Sequence, residues 1–406
     1  MQNMISFDEA NKIISSELNN FKIKITEADI LDSLNCILAE DTIADINLPP
    51  FNSSAMDGFA IKYSTKIKEW KLIGEISAGN YKSFKLSNTT TIRIMTGGKL
   101  PDGCTSIIPV EDIIDNGSFI ALKNSIRVKP SQHIRRLGED LKQGQVAIQK
   151  NTLLKPKHIS VLAACGKKRV KIYKKLKIAV LTSGDELIDI DKIPTSDKIR
   201  GSNLYSLLAL IKEMNMIPVN LGFVSDIKAE QKRKIKLALE SDIDILLTSG
   251  GVSVGKFDYL PEIFKNLGVQ IKFRKVNIKP GKPLLFGTFH NKNKPVFVFG
   301  LPGNPVASFV DFRLFVNSNI FKLLKINQRD SIRATLSIDI NKTDNKKQFM
   351  RGVYTYNHAV SKYFVEKFVS QSSGNIVNAS RANCLIVVDE NIRHIAKGEE
   401  VECIMI

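Results

Sequence analysis

IDILLTSGGVSVGKFDY, from Ile243 to Tyr259, decides how this chain is to be read. It opens as a mostly apolar run, Ile243 to Leu247, which Thr248, Ser249, Gly250 and Gly251 then break. Ser253, Gly255, Lys256 and Asp258 follow closely. A buried strand that ends in a glycine turn leaves backbone N–H groups at the carboxyl edge of a sheet. Open α/β sheets bind ligands at that edge, and bare N–H groups there suit anions. The same grammar occurs before it in KIAVLTSGDEL (Lys177 to Leu187) and after it in VFVFGLPGNPVASF (Val296 to Phe309). The three turns, carrying Ser183 and Gly184, Gly250 and Gly251, and Pro302, Gly303 and Pro305, are expected to converge on one pocket. The spacing from Gly250 to Lys256 approaches a P-loop, but Phe257 stands where a P-loop needs Ser or Thr for magnesium. GxGxxG is absent, so a dinucleotide fold has no support.

Working outward, 406 residues predict several domains, and 43% hydrophobic residues are enough for sizeable cores. No apolar run approaches the length of a membrane span, and MQNMISFDEANKII lacks the layout of a signal peptide. Five scattered cysteines without a CxxC pair fit free thiols in a reducing cytoplasm, not disulfides or zinc. The net charge of +18 is spread along the chain without a nucleic-acid-binding signature. Neither nucleic acid nor membrane is expected as a partner; a basic surface would still steer an anionic substrate.

The pattern predicts α/β plus β architecture in several domains. Residues 1–45 read as helical, from Ala10, Ile13, Ile14 and Leu18 and then Ile30, Leu34, Ile37 and Leu38 at helical spacing; Ser6 and Glu9 read as a capping box. Together with 140–174 they form a helical domain. Residues 46–139 form an inserted β-rich domain, with strands near Trp70–Ile76, Thr91–Met95, Ser106–Val110 and Phe119–Lys123. Residues 175–325 form a doubly wound, mostly parallel α/β domain, and 326–406 a C-terminal β barrel.

Several stretches carry candidate chemistry. LPPFNSSAMDGFAI (Leu48 to Ile61) places Asp57-Gly58 before a strand, and reads equally as a plain turn and as a rigid catalytic loop. HIRRLGEDLKQGQVAI (His133 to Ile148) carries Arg135, Glu139 and Asp140, a solvated charged turn on composition alone. Asp226 is a candidate helix cap or ligand. In KVNIKPGKPLLFG (Lys275 to Gly287), strand alternation puts Lys275 and Lys279 on one face, as an anion clamp or a surface pair. Asn304 and Pro305 read as N-cap and first residue of a helix. Acids beside anion-binding turns suggest Mg2+, held by oxygen ligands and bridging phosphates. That chemistry suits phosphoanhydride or oxyanion transfer.

LPPFNSSAMDGFAI, IMTGGKLPDGCTSIIPVED, RRLGEDL, LTSGDEL, LTSGGVSVGKFDY, IKPGKP and GLPGNPVAS, in this order, resemble the motifs of the molybdopterin molybdotransferase family, MoeA and the gephyrin E domain. The resemblance covers nearly the whole chain. It implies a four-domain elongated subunit and a homodimer whose site lies across the subunits. It implies insertion of molybdate into adenylylated molybdopterin, with Mg2+ and release of AMP; docking of a molybdopterin adenylyltransferase is left open as a further partner. By matched motif, Asp57, Glu186, Asp258, Lys275 and Lys279 would be catalytic. Asp57, Glu186, Asp226 and Asp258 supply the candidate metal ligands. Thr96, Arg135, Asp140, Ser183, Gly184, Asp226, Gly250, Gly251, Ser253, Pro302, Gly303 and Pro305 would bind substrate. Gly201 stands where the family often has Asp before the Ser202-Asn203 pair. Two other readings stay open from sequence: adenylylation of molybdopterin, and a scaffold that keeps the fold but binds a partner.

Overall fold

The computed structural model describes residues 4–79, 82–252, 259–291, 294–326 and 331–406. It divides into two compact units, residues 27–172 and the remainder.

In the 27–172 unit, a six-stranded sheet runs in the order Ser106–Pro109, Gly58–Ile61, Thr90–Ile94, Glu69–Ile76, Phe119–Leu122, Ile113–Asp115. The predicted strands are all present within a residue or so of their expected ends. Side-chain alternation fills both faces. Phe59, Ile61, Trp70 and Ile108 pack on one side, and Ala60, Ile92, Ile94 and Ile107 on the other. With both faces covered, the strand Gly58–Ile61 is buried at every position. A third cluster gathers Leu162, from the helix Pro156–Ala164, with Cys36, Leu38, Ile148 and Leu154.

The expected second helix, through Ile30, Leu34, Ile37 and Leu38, does not form. The chain turns over residues 30–35, and Asn35 takes φ 60°, which ends any helix there. Ile37 and Leu38 make antiparallel bridges to Leu153 and Ile172. Cys36 and Leu38, two apart, share the third cluster, so a period of two overrides the apparent helical spacing. The first helix is as expected, Phe7–Asn19, with Ala10, Ile14 and Leu18 buried and the Ser6 hydroxyl accepting the Glu9 N–H at 3.1 Å.

In the other unit a six-stranded sheet runs in the order Ile217–Val224, Lys177–Ser183, Ile245–Ser249, Lys294–Leu301, Leu285–Asn291, Gln270–Phe273. The first four strands are mutually parallel. The sheet is mostly parallel, as expected; Leu285–Asn291 alone runs against the others, as a hairpin partner of Lys294–Leu301 that needs no crossover helix, and Gln270–Phe273 pairs antiparallel with it. The helices Ser202–Glu213, Lys228–Glu240 and Leu260–Asn266 accompany the sheet, and their buried Ile235, Leu239, Leu260 and Ile263 pack on Ala179, Leu246 and Val298.

The C-terminal strands close into a five-membered barrel. Ser331–Leu336 pairs with Glu400–Met405, then Cys384–Val388, Lys347–Asn357 and Lys362–Lys367 follow, and the last returns to Ser331–Leu336. Ala334, Leu336, Val365, Ile386, Val401 and the thiols of Cys384 and Cys403 fill it. The lysine stretch 275–279 does not lie in the α/β sheet. Its two-residue strand, Ile278–Lys279, pairs with Lys347 and Gln348 of the barrel.

Candidate active site

Parallel register brings the three glycine turns together. Thr182 lies beside Ser249, and Ser249 beside Leu301, so the turns after all three strands leave the sheet at one level. They surround a cleft of about 490 Å3. Its walls include Ser183, Gly184, Glu186, Asp226, Gly250, Gly251, Pro302, Gly303 and Pro305. The three turns thus converge as expected, and Glu186 and Asp226 join them on the same cleft. Ser253 and Asp258 lie outside the described residues.

The turns need glycine for stated reasons. Gly250 has φ 95°, and a Cβ there would stand 2.6 Å from the Ser183 carbonyl oxygen. At Gly184 a Cβ would meet the Glu186 carboxylate at 2.6 Å, so that carboxylate folds over bare backbone. The turns are then locked to one another. Asn203 Nδ2 donates to Ser249 Oγ and to the Gly303 carbonyl, each at 2.8 Å, while Ser249 Oγ donates to the Pro302 carbonyl at 3.1 Å. The helix Ser202–Glu213 starts on the same wall, with no side chain capping its first turn.

Asp185 and Asp226 sit side by side. The Asp226 N–H donates to Asp185 Oδ1 at 2.9 Å, and the Asp185 N–H to Asp226 Oδ2 at 3.3 Å. Gln231 Nε2 also reaches Asp226 Oδ1, at 3.2 Å. Asp226 therefore does not cap the following helix, whose N-cap is Ile227. Asn304 holds the N-cap position before Pro305, but its side chain donates to Ser373 Oγ at 3.1 Å and leaves the cap unmade.

Around the cleft, Thr182 Oγ1, Ser183 Oγ, Thr248 Oγ1, Gln231 Oε1 and Asn203 Oδ1 are buried without a hydrogen-bond partner among the described residues. Such atoms favour a bound polar ligand or water. Among the described residues no three acids, histidines or cysteines cluster as a metal-ligand set. Mg2+ needs fewer, because it binds through one or two carboxylates plus waters and substrate phosphates. Glu186 and Asp226 on one cleft fit that donor set.

Lys275 and Lys279 are not among the cleft walls. Lys279 Nζ instead pairs with Asp344 Oδ2 at 3.3 Å. The condition for their shared face, one strand through both, is not met. The chain between them is not one regular strand: the Val276 N–H donates to the Lys282 carbonyl and the Ile278 N–H to the Val276 carbonyl.

In the 27–172 unit, Asp57 lies on the exposed turn ahead of the strand Gly58–Ile61. A Cβ at Gly58 would stand 2.2 Å from the Ile108 carbonyl oxygen, which explains the Asp-Gly pair. The Thr96 N–H and hydroxyl both donate to Asp57 Oδ1, at 2.7 and 2.8 Å. Those two bonds, the backbone one foremost, hold the Asp57 carboxyl below the usual carboxylate range. Arg135 is engaged on two sides: Nε donates to Glu139 at 2.7 Å, and the guanidinium also pairs with Asp140. The Arg136 N–H, and then Arg135, hold the Glu139 carboxyl low.

Sequence reasoning missed four supports. Asn203 and Ser249 act through cross-links that require the folded chain. Arg200 is the one basic side chain among the described lining residues, and nothing in its local sequence marks it. Arg351 is buried and donates to the carbonyls of Asn375, Ser370 and Ser372. It thereby holds the loop whose Ser373 carbonyl accepts the Val306 N–H at 3.1 Å, beside the Gly303 turn.

A parallel sheet whose carboxyl edge carries a glycine-walled cleft with paired acids places the chain among open α/β proteins, a class that binds ligands at that edge. The comparisons narrow this class. Residues 5–166 match the MoeA N-terminal region (domain I and II), 179–322 a "probable molybdopterin binding domain", and 333–406 the MoeA C-terminal region (domain IV). A molybdopterin molybdenumtransferase of Haemophilus influenzae is 32% identical over 403 residues, covering 98% of this chain and 98% of that protein. One from Staphylococcus epidermidis is 32% identical over 410 residues, covering 99% of this chain and 95% of its own. The crystal structure of a molybdopterin biosynthesis MoeA protein from Pyrococcus horikoshii OT3 matches with a TM-score of 0.83 at 25% identity, over 100% of both chains. The chain belongs to the MoeA family.

Proposed function

We propose that the chain is a molybdopterin molybdenumtransferase of molybdenum-cofactor biosynthesis, which inserts molybdate into adenylylated molybdopterin and releases AMP. The observation that carries this reading is the full-length similarity to relatives of that name, and a glycine-walled cleft sized for a small anionic ligand supports it.

In this reading the phosphates of adenylylated molybdopterin lie against the Gly250, Gly251 and Gly303 turns, with the uncapped first turn of the helix Ser202–Glu213 facing the same charge. Glu186 and Asp226 would hold Mg2+, with Asp57 and Asp258 as further candidate ligands; the ion would neutralise phosphate charge and polarise the phosphoanhydride. Asp57 is kept ionised by Thr96, which suits binding a cation and not donating a proton. Lys275 and Lys279 attract molybdate, Lys279 exchanging its ion pair with Asp344 for the oxyanion. A homodimer with its site shared between subunits, docking of a molybdopterin adenylyltransferase, and a cytoplasmic location complete the proposal.

A single-turnover assay tests it. Purified protein, adenylylated molybdopterin, molybdate and Mg2+ are mixed, and AMP and molybdenum cofactor are followed, with tungstate as a second arm. AMP that appears only with an oxyanion and Mg2+ is the expected result; ligand binding without AMP would overturn it. Asp57→Ala should keep the fold and abolish turnover, and near-normal turnover would remove Asp57 from the mechanism.

A further inference from the structure

The α/β sheet has a second concavity, at its amino edge. A pocket of about 290 Å3 is bounded by residues 20–24, just after the N-terminal helix, and by residues 174–177, where a parallel strand begins. Asp242 and Asp244, ahead of the strand Ile245–Ser249, and Lys294 and Pro295, opening the strand Lys294–Leu301, complete it. The glycine-walled cleft lies at the other ends of these same strands. Five to seven strand residues, at roughly 3.3 Å each, put about 20 Å between the two.

Six lysines line this pocket against two aspartates. Both acids are committed. Asp244 accepts the Lys177 N–H and Lys294 Nζ, each at 2.7 Å; Asp242 accepts Lys177 Nζ at 2.7 Å and Lys294 Nζ at 2.9 Å. Lys175 Nζ donates to Asn215 Oδ1 at 2.8 Å. Lys22, Lys24 and Lys174 form no ion pair among the described residues, and all three are exposed. Their positions are nonetheless built. The Lys174 N–H donates to the Lys24 carbonyl at 2.8 Å, tying the two segments together. Beneath them Leu176 is buried, and Phe21 stacks edge-on against buried Phe297 with ring centroids 5.6 Å apart.

Like charges gathered over a low-dielectric floor repel one another, and a concave surface focuses their field outward. An anion with more than one charge relieves that repulsion. The volume, near the lower end for ligand sites and well below the 490 Å3 of the glycine-walled cleft, suits a diphosphate better than a whole nucleotide. We propose that Lys22, Lys24 and Lys174, framed by the Lys177–Lys294 ion-pair network, form a second anion site that binds a small polyanion of the diphosphate class. Recognition here is by ammonium charge, independent of the reaction proposed at the other edge.

The test is calorimetric titration of the full chain with pyrophosphate, orthophosphate and ADP at low and high salt. The variants are the triple substitution Lys22→Ala, Lys24→Ala, Lys174→Ala and the glycine-cleft substitution Asn203→Ala. Pyrophosphate should bind the native chain, more weakly as salt rises. The triple variant should lose about tenfold or more in affinity, the scale of one or two charge-assisted hydrogen bonds, with an unchanged Tm because the three side chains are exposed. Asn203→Ala should bind pyrophosphate as the native chain does. ADP that binds with the same lysine dependence supports the site and names a nucleotide as the diphosphate's source. Equal affinity in the triple variant, no binding to the native chain at millimolar pyrophosphate, orthophosphate binding as tightly as pyrophosphate, or loss confined to Asn203→Ala would each overturn the proposal.

Discussion

The two edges of one sheet are built from different materials. At the carboxyl edge the described walls hold one basic side chain, Arg200, and five glycines at residues 184, 201, 250, 251 and 303. At the amino edge six lysines face two aspartates, and no glycine contributes. The first surface is shaped by backbone, which at Gly184 and Gly250 leaves no room for a side chain; the second is shaped by charge that many side chains could supply. The difference teaches where each is vulnerable. A backbone cradle fails where an added methyl group would meet backbone, as at Gly250, whatever the salt. A charge cluster tolerates changes of shape but is screened within a Debye length of about 8 Å at physiological ionic strength.

Substitutions can break or sharpen that contrast. The largest effect is expected from Gly250→Ala, which forces φ 95° on a side chain and sets its Cβ 2.6 Å from the Ser183 carbonyl. A loss of about 2–4 kcal/mol is expected in urea unfolding, insensitive to salt. Gly303→Ala is the matched control: its Cβ would meet nothing closer than Gly250 Cα at 3.7 Å, so Tm should hardly move. If both variants unfold alike, the backbone-cradle account is wrong.

Asp244→Ala should cost about 2 kcal/mol, because it strands the Lys177 N–H and leaves the partly buried Lys294 ammonium with Asp242 as its one carboxylate partner among the described residues. The loss should persist in high salt, unlike pyrophosphate binding nearby.

Asp311 gives a smaller, pH-dependent effect. It ends the helix that follows the Gly303 turn, is fully buried, and has no partner for either carboxylate oxygen among the described residues. Burial pushes its carboxyl well above the usual 3.8. The folded chain therefore holds its proton longer than the unfolded chain, and this residue's contribution to stability falls as pH rises above about 3.8. Asp311→Asn should raise Tm by a few degrees at neutral pH, the gain shrinking as pH drops towards 3.8. A gain that is constant with pH would show that the carboxyl's ionisation is not the cause.

The smallest effect belongs to Asp242→Asn. Hydrogen bonds from Lys177 and then Lys294 hold the Asp242 carboxyl far below 3.8. Its stabilisation is present above that pH and is lost on further acidification. Because the side chain is 66% exposed, less than about 1 kcal/mol is expected, and high salt should remove most of it.

What could be read from the chain follows the same division. The glycine turns were legible because a buried parallel strand is a local apolar run and its end is marked by Gly, Ser and Pro. Once three such strands pair in register, the cleft follows. The amino-edge pocket was not legible, because Lys22, Lys174 and Lys294 are far apart in sequence and each reads as ordinary surface. Lys275 and Lys279 misled through an assumed alternation that the barrel pairing of Ile278 and Lys279 replaces. Ile30 to Leu38 misled through a chance helical period that Asn35 interrupts. Asn203 and Arg351 act through partners about 20 to 100 positions away, and no window of sequence contains such bonds.

The barrel sets a condition on how the chain is made. Glu400–Met405 pairs with Ser331–Leu336 on one side and Cys384–Val388 on the other. Until Met405 has left the ribosome, both of those strands present an unpaired edge, which is a template for pairing with another chain. The Ser331–Leu336 edge therefore stays open through the whole synthesis of residues 337–399 and the Cys384–Val388 edge from residue 389 onward, and the one strand Glu400–Met405 removes both at once.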